Sequence, residues 1–102
     1  MNLKIEDHYL TEIAKDQPLT GKQEFPDEVI QAFKRRLFQI KTARNTLELR
    51  GNKSLHFEKL KEKRYKDKYS IRLNRAYRLI FRIDKQGNVE IIYIEEISNH
   101  YS

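Results

Sequence analysis

An α+β fold, with two N-terminal helices packed on one face of a small, mainly antiparallel β-sheet, is what this sequence predicts. Three observations lead there. Apolar residues in the first half recur at helical spacing, the period changes from 3.6 to two after Gly51, and turn-forming residues cut the second half into short alternating segments.

Taken in order, a short helix starts after Asp7, carries Leu10, Ile13 and Ala14 at helical spacing, and stops before Pro18. The segment 15-KDQPLTGKQEF-25 is rich in breakers and reads as a loop. The clearest helix follows. Pro26 suits a first turn, Asp27 and Glu28 suit the positive end of the helix dipole, and Ile30, Phe33, Leu37 and Ile40 form one stripe that runs to about Ala43. A turn or short helix with Leu47 and Leu49 ends near Gly51. Beyond it, Leu55 and Phe57 alternate with His56 and Glu58, which predicts a short strand, and the basic run 59-KLKEKRYKDK-68 follows as a loop. Tyr69, Ile71 and Leu73 alternate, as do Tyr77, Leu79, Phe81 and Ile83, and the residues from Asp84 to Asn88 make a second turn. The last strand, 89-VEIIYIEEI-97, is apolar on both faces around 91-IIYI-94, as expected of a central strand rather than an edge.

The bulk numbers narrow the possibilities. A chain of 102 residues matches one domain of about 100–150 residues, and six Tyr and five Phe supply large side chains for one core. Without cysteine there is no disulfide framework and no thiolate chemistry, and His8, His56 and His100 lie too far apart in sequence to suggest a metal site. The N-terminus carries no secretory apolar run, and nothing approaches the roughly 18 apolar residues of a membrane span, so the expectation is a cytoplasmic protein. Charge is segregated: residues 50–85 hold thirteen Lys and Arg against four Asp and Glu, a net of +9, while the rest of the chain carries −3. Such an asymmetry fits a surface that meets polyphosphate, although the run 59–68 fits a solubilising loop equally well.

Alternation also sets a register for 70-SIRLNRAYRLIFRI-83. Pairing Leu73 with Tyr77 across Asn74-Arg75-Ala76 brings Ile71 opposite Leu79 and Tyr69 opposite Phe81. It also sets Arg72 directly opposite Arg78, with Arg82 further along the same face. Opposed like charges destabilise a sheet by a few tenths up to about 1 kcal/mol, so folding alone does not favour this arrangement. Either a carboxylate from another strand, Glu90 or Glu96, neutralises the pair, or the face binds an anion. Arginine fits the second reading because its planar fork grips a phosphate in two places.

The chain ends in 97-ISNHYS-102 directly after the last strand. Cleaving RNA without a metal requires a base for the ribose 2′-OH, positive groups for the phosphoryl oxygens and an acid for the leaving 5′-oxygen. A histidine such as His100 can move protons at neutral pH, and Tyr101 can stack on a base or supply a proton. His56 and Lys59 form an H-x-x-K pair that could reach the same phosphate. Taken singly, His56 also reads as an exposed strand residue and Tyr101 as a tail aromatic packed on the core.

With these residues collected, the chain resembles the RelE/ParE superfamily of bacterial toxins, and within it the HigB-type, or killer-protein, branch. The resemblance rests on 55-LHFEK-59, on the hairpin 69-YSIRLNRAYRLIFRID-84, and on the terminal Asn99, His100 and Tyr101. It implies a RelE-like toxin of a type II toxin–antitoxin system, which enters the decoding site of the ribosome and cuts messenger RNA there without metal or other cofactor. A cognate antitoxin, of a helix-turn-helix, HigA-like kind, would block it and supply its link to DNA. Carried onto this chain, Arg72, Arg78, His100 and Tyr101 become the catalytic set and His56, Lys59 and Asn99 RNA-binding residues, to which the basic stretch adds Lys61, Arg64, Arg75 and Arg82 as further RNA contacts. HigB-type chains commonly end Asp-Tyr-His, whereas Asn-His-Tyr-Ser is closer to YoeB-like relatives. The roles of His100 and Tyr101 as base, acid or stacking group therefore stay open. Two other expectations compete: a ParE-like inhibitor of DNA gyrase that needs no nuclease residues, and a degenerate module that only binds RNA.

Overall fold

A computed structural model describes residues 1–15 and 21–99, in the order β1 (Asn2–Ile5), α1 (His8–Ala14), α2 (Asp27–Thr42), α3 (Thr46–Gly51), β2 (Glu58–Lys59), β3 (Tyr69–Arg72), β4 (Tyr77–Gln86) and β5 (Val89–Asn99). The five strands form one sheet in the order β1-β5-β4-β3-β2, antiparallel except where β1 runs parallel to β5. As expected, helices follow one another before the sheet's main hairpins, and β5 lies inside the sheet.

Each helix start has a local cause. Asp7 caps α1 by accepting from the Leu10 amide at 2.9 Å, and Asn45 caps α3 by accepting from the Glu48 amide at 3.0 Å. Asp27 and Glu28 occupy the first turn of α2, where the dipole favours them. At α3 the Glu90 carboxylate of β5 also accepts from the Thr46 amide and hydroxyl, at 2.9 and 2.6 Å, so the short helix is anchored to the sheet. One apolar face joins the layers. Ile30, Phe33, Leu37 and Ile40 of α2 and Leu10 and Ile13 of α1 pack on Ile71, Leu79, Phe81, Ile92 and Ile94 of the sheet.

The hairpin of β3 and β4 has the register that alternation predicts. Tyr69 lies opposite Phe81, Ile71 opposite Leu79 and Arg72 opposite Arg78. Asn74 shapes the connecting loop: its Oδ1 accepts from the amides of Ala76 and Tyr77 at 2.9 and 2.8 Å, and its amide nitrogen donates to Glu28 of α2 at 2.7 Å. The tip of the hairpin is thereby tied to the start of the long helix.

The structure departs from expectation in four places. Leu3 and Ile5, at alternate positions, pack on the core as part of β1, a strand that the N-terminal sequence was not expected to form. The predicted strand at Leu55 to Glu58 is instead a 3-10 turn over Lys53–Leu55, after which His56 takes the left-handed conformation at φ 47° and β2 starts only at Glu58. Here Asn52 accepts from the Ser54 amide and hydroxyl at 3.2 and 2.7 Å, local bonds that compete with a ladder. The turn expected over Asp84 to Asn88 narrows to two residues, because Gln86 still pairs with Val89 and Gly87 adopts φ +64° at no steric cost. Finally, β5 carries a bulge: Ile80 faces Glu96 but Phe81 faces Ile94, so Glu95 is the extra residue.

Two tests follow from these contacts. Asn74→Ala removes three hydrogen bonds and should cost about 1–2 kcal/mol in urea unfolding; an unchanged midpoint would show that the loop holds its shape without them. The hydrogen bonds from the Thr46 side chain and then its backbone, with Lys85 and Arg50 nearby, hold the Glu90 carboxylate below its ordinary value of 4.5. A depressed folded-state value stabilises the protein above the unfolded value, and this contribution is lost as pH falls through the depressed one. Glu90→Gln should therefore lower stability at neutral pH and flatten its acid decline, read as urea midpoints from about pH 6 down to about pH 3. A decline as steep as in the unmutated chain would contradict the assignment.

Candidate functional site

Side chains alternate across β3 and β4, so those not packed on the helices emerge on the opposite, open face of the sheet. Arg72, Ser70, Arg78, Ile80 and Arg82 lie there, with Glu58 brought alongside because β2 pairs it with Ser70. Ser70 and Ile80, opposite each other, are buried although they face away from the helices. Arginine stems can cover such a spot while their heads stay polar.

Arg78 is largely enclosed, with its side chain 14% exposed. Its Nη1 donates to the Ser70 hydroxyl at 2.9 Å and to the Glu58 carboxylate. Arg72 turns elsewhere: its Nη1 lies 3.2 Å from His56 Nε2, and because a guanidinium only donates, that ring nitrogen accepts. His56 reaches this position from its left-handed conformation, one of the sparsely populated backbone states in which histidine is enriched. The opposed arginines thus diverge to separate partners, a carboxylate for Arg78 and an imidazole for Arg72. Glu58 is the neutralising carboxylate, in place of the expected Glu90 or Glu96. Glu90 lies at the far end of β5 on Thr46, and Glu96 faces Ile80. Glu58 drew no attention in the sequence as a site residue, although it falls inside 55-LHFEK-59; only the β2–β3 register places it on the arginine face.

Arg82 belongs to a different group. It contacts Glu6 at 3.2 Å and Glu95 at 3.4 Å, and its guanidinium sits 3.9 Å from the centre of the Tyr93 ring. Glu95, set by the bulge, also pairs with Lys68. This network joins β4 and β5 to Glu6, the residue just after β1, rather than facing Arg72 and Arg78.

The remaining candidates scatter. Lys59 pairs with Tyr69, so alternation directs it to the other face from Glu58, and His56 reaches Arg72 without it. Lys59 and Lys61, with Lys63 and Lys66, line a hollow of about 560 Å³ in the basic loop. Arg64 lies over the Tyr65 ring at 4.7 Å, Arg75 is exposed at the hairpin tip, and Asn99 sits opposite Tyr77, next to the Ser98–Arg78 pair. His100 and Tyr101 lie outside the described residues. Among the described residues, no cluster of three or more His, Asp or Glu is placed to hold a metal ion, and no helix is long and apolar enough to cross a membrane.

A family model described as the RelE-like toxin of the type II toxin–antitoxin system HigB matches residues 3–97. The chain belongs to this HigB-like toxin family. Its fold is similar to that of the YoeB/ParE toxin from Agrobacterium tumefaciens, with a TM-score of 0.61 at 14% identity over 99% of this chain and 100% of that one. No curated protein sequence matches the chain. Membership implies a cognate antitoxin as partner of this HigB-like toxin.

The two arginine groups should separate on mutation. Arg82→Ala in this HigB-like toxin should cost about 1 kcal/mol in urea unfolding, the sum of an aromatic contact and partly exposed ion pairs. Its affinity for an RNA oligonucleotide should fall less than that of Arg72→Ala or Arg78→Ala. Equal affinity losses at all three positions would place them in one binding surface.

Proposed function

We propose that the protein is a ribosome-dependent endoribonuclease, which cuts messenger RNA in the decoding site of the ribosome without a metal and so arrests translation in the cytoplasm. Family membership supports the toxin role, and one observation carries the chemistry: Arg72 and Arg78 stand opposite each other on the open face, beside a carboxylate that a phosphate can displace.

A phosphodiester entering this face would take the place of Glu58 on Arg78 and meet Arg72 from the other strand. Two guanidinium groups then offset the charge that builds on the phosphoryl oxygens as the 2′-oxygen bonds to phosphorus. Glu58, half exposed at 50%, is released beside the same phosphate and can accept the 2′-OH proton. His56, whose Nε2 already accepts from Arg72, lines the site. The 5′-oxygen leaves with a proton supplied by His100, with Tyr101 stacking on a base or assisting. Lys61 and the later lysines of the 59–68 loop, with Arg75 at the hairpin tip, extend the surface along the RNA strand, where their contribution weakens with salt. A cognate antitoxin of helix-turn-helix type would suppress the activity.

Purified protein added to translating ribosomes should truncate a reporter message, and Arg72→Ala or Arg78→Ala should slow this on the order of 10² to 10³ fold. His100→Ala combined with Tyr101→Ala should abolish it. Glu58→Gln should bind RNA more tightly yet cut it more slowly. An intact message with unmutated protein would sink the proposal, and cleaved DNA accumulating in gyrase assays would replace it with gyrase inhibition.

A further inference from the structure

We infer that Arg36 of α2 is a positioning residue, whose guanidinium holds the main-chain carbonyl of Arg72 and so presents the Arg72 side chain to a phosphate. The inference builds on the reading of Arg72 as an RNA ligand, and its grounds lie in how β3 ends.

The Leu73 amide donates to the Tyr77 carbonyl at 2.9 Å, so Leu73 turns its polar main-chain groups toward β4. Its neighbour Arg72 must then turn its own N–H and C=O outward, to the edge where β2 lies. Yet β2 covers that edge only at Tyr69 and Ser70. Continued by two residues, the same register would bring His56 opposite Arg72, but the left-handed turn at His56 breaks the ladder there. Arg36 fills the gap: its Nε donates to the Arg72 carbonyl at 2.9 Å, across the layer between helix and sheet. Its Nη1 donates to Gln39, one turn along α2, at 2.8 Å, which fixes the rotation of the fork.

The choice of residue at this place is informative. The Arg36 side chain is partly buried, and burial first, then the adjacent Arg35, lowers its tendency to hold a proton. A cation is thus kept where desolvation opposes it, and its contact is with the one carbonyl that the interrupted ladder leaves at Arg72. The consequence is that Arg72 is gripped at both ends, its backbone by Arg36 and its guanidinium by His56. A side chain with four rotatable bonds loses less freedom on binding when its base is already fixed.

Binding of a fully 2′-O-methylated RNA oligonucleotide, which cannot be cut by its own ribose hydroxyls, separates positioning from general support. Arg36→Gln should weaken affinity about fivefold to tenfold, the size of one ordinary hydrogen bond. In an Arg72→Ala background the same change should matter by less than about twofold, and Arg36→Lys, which restores one charged donor, should recover most of the affinity. Equal losses in both backgrounds would overturn the inference, because Arg36 would then act as an independent charge or a helix tether. If the unmutated protein binds no RNA, the RNA reading falls, and the role of Arg36 is decided by NMR. The Arg72 Nε–Hε signal should shift and broaden in Arg36→Gln while core amide signals keep their native positions, and an unmoved signal would rule out positioning.

Discussion

Pairing between β3 and β4 admits one register, and the rest of the molecule is arranged around it. Tyr69, Ile71 and Leu73 must face the helices because Phe81, Leu79 and Tyr77 do, and a slip of one residue would put Arg72 and Arg78 into the core. Once the register holds, two guanidinium groups stand opposite each other whether or not this favours the sheet. Glu58, Ser70 and His56 then answer the charge from one side, and Arg36 completes the backbone from the other. Asn74 lies at the centre of this constraint, since it shapes the loop that joins the two strands and binds it to α2.

How far the sequence discloses such an arrangement depends on the range of the interaction. The hairpin was legible because its apolar and polar positions strictly alternate, and α2 because its stripe, first-turn acids and Pro26 agree. Helix-first, sheet-second order disclosed the fold class. What escaped is set by contacts far apart in the chain or by single backbone angles. The strand at Asn2–Ile5 has an alternating pattern, but four residues next to a loop carry little weight without a partner. The left-handed turn at His56 depends on bonds made by Asn52 and Ser54, which look like ordinary loop residues. Glu58 became part of the site only through β2, a strand two residues long. The bulge had a signal in hindsight: the buried isoleucines of β5 step from 92 to 94 and then to 97, a step of three where a regular strand allows two.

That bulge also explains why three arginines on one face do not act as one patch. By adding Glu95 between the partners of Ile80 and Phe81, it places a carboxylate against Arg82 and Lys68 on the far side of Ile80. Below it lies a closed network of Glu6, Glu95, Tyr93 and Arg82 that ties strands together; above it lie Arg72 and Arg78, with the half-exposed Glu58 carboxylate. A single inserted residue therefore separates Arg82, held in a brace between strands, from Arg72 and Arg78 with their own partners.

The parallel pairing of β1 with β5 bears on when this toxin becomes whole. Asn2 lies against Ile91 and Ile5 against Ile94, so β1 has no ladder partner until β5, distant in sequence, has been made. The same late strand supplies the partner of β4 beside Arg78 and the carboxylate that anchors α3. Contacts this distant in sequence form slowly and late. A chain still being translated can build its helices and the β3–β4 hairpin, but the sheet that steadies the arginines closes only after β5 has been made.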